Sequence, residues 1–298
     1  MHFRWNYEKP TPEQSQVAKE LAAKLCISPV LTSLLVKRGV TTECAAKRFF
    51  RPQLADLINP FVMKDMDIAV ERLNDAMGRK ERILVYGDYD VDGCTAVALV
   101  YKFLRQYYSN IDYYIPDRYD EGYGVSNRGI DYAKQTGVKL IIILDCGIKA
   151  IEEIAYAKSL GIDFIVCDHH MPDEQLPNAV AILNPKQDND PYPFKDLCGC
   201  GVGFKFMQAF AKNNGIPFSR LIPLLDFCAV SIAADLVPVV DENRILAFHG
   251  LKQLNQNPSI GLKAIIDTCG LTGRELSMSD IVFKIGPRIN ASGRMESG

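Results

Sequence analysis

Arg82-Ile-Leu-Val-Tyr-Gly-Asp-Tyr-Asp-Val-Asp-Gly-Cys94 joins a short apolar, β-rich run to three aspartates bracketed by Gly87 and Gly93. Asp88, Asp90 and Asp92 put three formal negative charges into five residues, and the only cation in the stretch, Arg82, lies at its other end. Carboxylates held this close repel one another, and pairing or metal coordination is the usual remedy. The stretch therefore reads as half of a metal site. Glycines on either side are expected to let all three carboxylates point into one crevice. Taken alone, the same residues are also compatible with a solvated acidic turn. A calcium loop fits less well: an EF-hand needs a glutamate six residues after its glycine, and that position is Leu99 in an apolar segment.

Outward from this stretch, strands alternate with helices. Thr95 to Tyr107 is apolar on one face and predicts a helix; Ile111 to Ile115 predicts a strand closed by Pro116. Ser126 caps a helix that ends at Gly137. Val138 to Leu144 is a near-continuous apolar run bounded by Asp145-Cys-Gly147, and Ala150 to Leu160 is a helix stopped by Gly161. Ile162 to Val166 and Ala179 to Leu183 are further strands, the first followed by Cys167-Asp168-His169-His170. Strands alternating with helices of this length predict βαβ units and a parallel sheet with helices on both faces, an α/β fold of Rossmann-like type. Ligands of open parallel sheets bind beyond the carboxyl ends of the strands. Asp88 to Asp92, Asp145 and Asp168-His169-His170 each follow a strand, so three neighbouring strand ends would bring them to one crevice.

Residues 1–81 predict a helical leader. Thr11-Pro12-Glu13 is a helix start, with Val17, Leu21 and Leu25 at helical spacing; Gly39 is a stop and Thr41-Thr42-Glu43 a fresh start. Pro52 and Pro60 break the next piece into loops, and Met66 to Met77 is another helix. The catalytic part is expected over 82–298, with the sheet in about 82–185 and a mostly helical portion in about 199–298. Its helices are expected at Val202–Asn213, Leu221–Ala234, Glu242–Leu254 and Leu262–Asp267. Lys284 to Met295 reads as a glycine-rich loop carrying Arg288 and Arg294.

The chain has 298 residues, 48% hydrophobic and 23% charged, an ordinary globular balance. Met1 to Pro10 has no signal-peptide core and no run is long enough to span a membrane, so a cytoplasmic protein is expected. Nine scattered cysteines with no C-x-x-C pair predict reduced thiols; Cys198 and Cys200 are too close for a zinc knuckle. The net charge of −2 argues against a wholesale basic coat for nucleic acid. Two divalent ions would add about +4, however, concentrated at the site. Aspartate oxygens with imidazole suit Mn²⁺, or Mg²⁺ with looser preference. So many ligands fit two ions sharing a carboxylate, an arrangement suited to in-line hydrolysis of a phosphate ester. Alone, Asp145 is also compatible with a turn residue and His169-His170 with a surface pair.

Gly87-Asp-Tyr-Asp-Val-Asp-Gly93, Leu144-Asp-Cys-Gly147 and Asp168-His-His170 resemble the signature motifs of the DHH phosphoesterase superfamily. Ile115-Pro-Asp-Arg-Tyr-Asp-Glu-Gly-Tyr-Gly124, Ser231-Ile-Ala-Ala-Asp235 and Arg288-Ile-Asn-Ala-Ser-Gly-Arg294 narrow the resemblance to its single-strand-specific 5′→3′ DNA exonucleases. It runs from about residue 50 to the last residue. The resemblance implies metal ligation by Asp88, Asp90, Asp92, Asp145, His169 and Asp235, with Asp145 bridging two Mn²⁺ or Mg²⁺ ions. It implies a catalytic set of Asp145, His169 and His170, with His170 at the scissile phosphate and Asp168 orienting its neighbouring histidine. Arg118, Arg288 and Arg294 would clamp phosphates, with Tyr123, Asn290 and Ser292 also at the DNA. Tyr119 and Tyr123 are compatible with base stacking and with rim packing. The residues from Gly199 to Gly203 lack dinucleotide-loop spacing, and the resemblance places a helix start beside the site there.

Members of this superfamily continue past the last motif into a second domain that walls the substrate channel. The sequence given ends at Gly298, so a catalytic core without that domain is expected. The implied partner is single-stranded DNA, with a helicase or single-strand-binding protein as accessory, no membrane, and a monomeric state. Two rivals stand beside this reading. One is a DHH enzyme for short oligonucleotides or cyclic dinucleotides, whose pattern has histidine where this chain has Asp88. The other is a metal-free DHH scaffold, which would have lost ligands present here.

Overall fold

The computed structural model describes residue 4 and residues 8–295. Most of the amino-terminal stretch that lacks a signal-peptide core, and Gly298, lie outside these residues. The chain divides into two compact units, residues 1–56 and 57–298.

The first unit holds α1 (Pro12–Leu25), α2 (Pro29–Lys37) and α3 (Glu43–Phe50). Thr11 starts α1 with a capping box closed by Gln14, and Pro12 occupies the first turn, where its missing N–H costs nothing. Ala18, Leu21 and Val36 form its small core, with Val17 and Leu25 packed against them. Gly39, at φ 79°, ends α2, and the Thr42 hydroxyl caps α3, as the sequence predicts.

The second unit is built on five parallel strands, β1 (Arg82–Gly87), β2 (Ile111–Tyr114), β3 (Val138–Leu144), β4 (Asp163–Cys167) and β5 (Ala181–Leu183). Their order is β2-β1-β3-β4-β5. Sequential strands diverge on either side of the β1/β3 boundary, which makes that boundary the switch point of a doubly wound sheet. Leu84, Tyr86, Ile141, Ile143, Phe164 and Val166 pack with Ile130 and Ala133 of α6 (Asn127–Gln135) and Ile154 and Ala157 of α7 (Ile151–Ser159). The alternate residues turn to the opposite face, towards α5 (Val91–Leu104) and α8 (Gly199–Asn213). Burial on both faces is why these strands read as continuous apolar runs.

The unit begins before the sheet. Its first helix is α4 (Met66–Gly78), within the residues that sequence assigned to the leader. Arg72 of α4 pairs with Glu81 at 2.7 Å and with Asp163 of β4 at 2.8 Å. Beyond the sheet follow α9 (Leu225–Ala234), α10 (Asp241–Gln256), α11 (Ile260–Thr268), α12 (Met278–Asp280) and α13 (Gly286–Met295). The helix expected from Leu221 begins at Leu225 instead, because Pro223 confines the preceding turn to a 3₁₀ segment. Lys284 to Met295 is not a loop. A π-helical turn, Ile281–Ile285, leads into α13, and Pro287 falls in its first turn, where proline is tolerated. Gly293 permits close approach: a Cβ there would lie 3.3 Å from the Tyr89 carbonyl.

A buried ion pair ties α8 to α10. The fully buried Lys205 meets Glu242 at 3.0 Å, and Glu242 also accepts hydrogen bonds from the Tyr192 hydroxyl and the Ile58 N–H.

Candidate metal centre

The β1–α5 turn brings the opening aspartates to the sheet's carboxyl edge. Asp90 is the N-cap of α5, its carboxylate accepting from the Gly93 N–H at 2.9 Å. Asp88 is fully buried and neither of its carboxylate oxygens has a well-formed hydrogen bond, although the Tyr89, Gly124 and Asp90 N–H groups lie near enough to lower its pKa. Burial first, then the neighbouring charge of Asp90, pushes its pKa up to about 6. Gly87 and Gly93 serve tight packing rather than clearance for carboxylates. A Cβ on Gly93 would lie 2.4 Å from the Asp88 carbonyl oxygen, and one on Gly87 would strike Val97 at 2.4 Å.

Asp145 follows β3 with φ 62°, in the left-handed region, and is 2% exposed. Its N–H donates to the Cys167 carbonyl at 2.9 Å, which pins the turn to the end of β4. Burial, then Asp92 and Asp90, raises its pKa well above the carboxylate range. The helix start expected beside the site is real: α8 begins at Gly199. It does so against Asp145, where a Cβ on Gly199 would lie 2.5 Å from Asp145 Oδ1.

His169, after β4, is the hub. Its Nε2 lies 3.1 Å from Asp145 Oδ1, 3.7 Å from Asp92 Oδ2 and 3.8 Å from Asp235 Oδ2. The shortest approach lacks hydrogen-bond alignment and leaves Asp145 Oδ1 buried without a partner; on the other side of the ring, His169 Nδ1 is buried without one as well. Burial lowers the His169 pKa against the pull of Asp92, which favours the neutral imidazole, the form able to ligate a metal. Asp235, at the C-cap of α9, completes the cluster; burial and then Asp92 push its pKa up to about 7.

Asp92 is bound differently. Oδ1 accepts from the Cys200 N–H at 2.7 Å and the Ser231 hydroxyl at 2.7 Å, and Oδ2 accepts from the Gly199 N–H at 2.6 Å.

Among the described residues, two groups place ligating atoms within 4.8 Å of one another: Asp145 with His169 and His170, and Asp92 with His169 and Asp235. Neither includes Asp88 or Asp90; the charge of Asp90 raises the pKa of both Asp88 and Asp145. Partnerless buried oxygens, carboxyls whose pKa values are raised by burial and then by their neighbours, and an imidazole held towards its neutral form fit a hard divalent cation, which would supply the missing positive charge.

Asp168 is not a member of the cluster. One of its oxygens accepts from the N–H groups of His169 at 2.7 Å and His170 at 3.1 Å, and lies 2.7 Å from His170 Nδ1; the other accepts from the Ile148 N–H at 3.0 Å. These bonds hold its pKa below the usual range despite burial, and it raises that of His170. Asp168 therefore orients His170, whose ring is partly exposed. The Tyr123 hydroxyl donates to the Asp145 carbonyl at 3.3 Å and lies 3.5 Å from His170 Nε2. The rim continues through Tyr89, edge-on to Tyr123, to Arg118, whose guanidinium sits 4.8 Å from the centre of the Tyr89 ring. Beside these residues lies a cavity of about 290 Å³ lined by Tyr123, Gly147, Lys149, Glu153 and His170. On α13, Arg288, Ser292 and Arg294 are exposed and Asn290 is half-buried. The Arg294 carbonyl accepts from the Tyr119 hydroxyl at 3.3 Å.

Sequence reasoning quoted Gly199 and Ser231 only within longer motifs and gave neither a role of its own. The signal for Ser231 is a lone hydroxyl in an apolar helix, one turn before Asp235.

Residues 82–232 match the DHH family, N-terminal domain. The single-stranded-DNA-specific exonuclease RecJ of Bacillus subtilis is 41% identical over 99% of this chain and 36% of its own length. The chain therefore spans little more than a third of that relative. A crystal structure of exonuclease RecJ bound to manganese aligns with a TM-score of 0.72 at 31% identity, covering 82% of this chain and 60% of that one. RecJ from Thermus thermophilus in complex with Mn²⁺ aligns with a TM-score of 0.79 at 27% identity, covering 97% of this chain and 40% of that one.

Proposed function

Since this chain belongs to the DHH family, we propose that it hydrolyses phosphodiester bonds of single-stranded DNA from the 5′ end, using two divalent ions, Mn²⁺ in preference to Mg²⁺. The observation that carries the reading is the convergence of Asp92, Asp145 and Asp235 on His169 at the strand ends, with buried oxygens left partnerless. The ions would be held by Asp88, Asp90, Asp92, Asp145, His169 and Asp235, with Asp145 shared. When bound, such ions polarise a phosphoryl oxygen and activate water.

The chain's own groups divide the remaining work. Asp168, saturated by donors, stays ionised and keeps His170 turned towards the rim, where its Nε2 can bond a phosphate oxygen. Its raised pKa favours the imidazolium form, which donates to an anionic phosphate. The Tyr123 hydroxyl, beside both His170 and the Asp145 carbonyl, orients the same oxygen. Arg118, with its guanidinium plane over Tyr89, and Arg288, Asn290, Ser292 and Arg294 on α13 grip the sugar–phosphate backbone.

Catalysis belongs to residues 82–298, and the leader, residues 1–81, has a positioning role. The protein would work as a cytoplasmic monomer beside a helicase or single-strand-binding protein; among the described residues no helix is long and apolar enough to cross a membrane. The test is cleavage of end-labelled single- and double-stranded DNA in Mn²⁺, Mg²⁺ and EDTA. Mononucleotides should leave the 5′ end of single strands only when metal is present. Cleavage in EDTA, or equal attack on duplex, would overturn the reading.

A further inference from the structure

The carboxylates of the centre fall into two kinds. Both oxygens of Asp88 and Oδ1 of Asp145 are buried without well-formed hydrogen bonds. Asp92, 2% exposed, accepts three hydrogen bonds, all from helices other than its own. A carboxylate offers about four lone-pair sites. The Cys200 N–H and the Ser231 hydroxyl occupy those of Oδ1, and the Gly199 N–H occupies one on Oδ2. Only Oδ2 keeps a free direction, and it is the oxygen 3.7 Å from His169 Nε2.

Ser231 is the side chain in this arrangement that no backbone requirement imposes. A serine inside a helix commonly returns its hydroxyl to the carbonyl one turn back. Fully buried in α9, Ser231 instead points across to α5 and Asp92. One turn later the same helix ends in Asp235, whose N–H donates to the Ser231 carbonyl at 2.9 Å. Ser231 therefore fixes Asp92 relative to Asp235, two acids that share His169 from opposite helices.

We infer that Ser231 is a positioning residue of the metal centre. It locks the Asp92 carboxylate so that a single oxygen, Oδ2, faces the cations, and it sets the spacing between Asp92 and Asp235. The inference rests on the metal reading above. Groups that hold a ligand in place change metal affinity by about 10–100-fold when removed.

The experiment is calorimetric titration of Mn²⁺ into wild type, S231A, S231T and S231C, with thermal melting of each in EDTA. S231A should bind Mn²⁺ at least about 10-fold more weakly, and its activity should recover in excess Mn²⁺. S231T, which keeps the hydroxyl, should bind close to wild type. If S231A melts too low to titrate, S231C, which keeps the volume but donates weakly, should show the same loss. Wild-type affinity in S231A or S231C, whatever the melting temperature, would reduce Ser231 to ordinary packing and overturn the inference while leaving the metal reading intact. Absence of Mn²⁺ binding by wild type would overturn both.

Discussion

Replacing Asp88 by asparagine should make the metal-free protein more stable at pH 8. The Asp88 carboxyl titrates at about 6 when folded, against an ordinary 3.8, because it is buried beside Asp90. Between about pH 4 and pH 6 the folded state thus holds more protons than the unfolded state. Stability falls as pH rises through that window and stays lost above it. A displacement of about two units, at about 1.4 kcal/mol each, costs about 3 kcal/mol at pH 8. The amide removes this cost but brings its own unsatisfied groups, at about 1–2 kcal/mol. The net gain is about 1–2 kcal/mol, a rise in Tm of about 3–6 °C for a unit of this size. At pH 4 the charge penalty has nearly vanished, so the variant should be no more stable than wild type. Saturating Mn²⁺ should reverse the ranking at pH 8, since a ligand at 100 times its Kd adds about 2.7 kcal/mol to the protein that binds it. Melting followed by circular dichroism in EDTA and in Mn²⁺, at both pH values, reads all four cases. A D88N protein that melts lower than wild type in EDTA at pH 8 would refute the reasoning, because it would mean the carboxylate is a satisfied structural group.

Asp145→Ala should abolish nuclease activity while circular dichroism shows the fold intact; substantial residual cleavage would refute a shared-ligand role. Gly199→Ala drives a Cβ to 2.5 Å from Asp145 Oδ1, so it should cost about 1–3 kcal/mol of stability and weaken Mn²⁺ binding measured by calorimetry. Lys205→Met strands the buried Glu242 and should cost about 3–5 kcal/mol in denaturant melts, with part recovered in the K205M/E242L double variant.

The sheet was legible because its strands are buried on both faces, so Val138 to Leu144 and Ile83 to Tyr86 could not be read as half-exposed. The crevice followed, since Asp145 and His169 each stand directly after such a run. Asp235 was not legible from its own neighbourhood. A carboxylate at the end of α9 looks like any helix terminus, and only packing of α9 against α5 brings it to His169. Lys284 to Met295 misled because its glycines suggest a loop, whereas Gly293 is there for the close approach of α13 to Tyr89. Gly199 is of the same kind: its constraint is the volume of Asp145, supplied by a residue far away in sequence.

Everything proposed for catalysis depends on the carboxylate cluster holding divalent cations. Calorimetric titration of Mn²⁺ into the metal-free protein at neutral pH asks that directly. Saturable heat for two ions per chain, lost in Asp145→Ala, is the expected result; a titration with no saturable heat in the wild type would contradict a metal centre here.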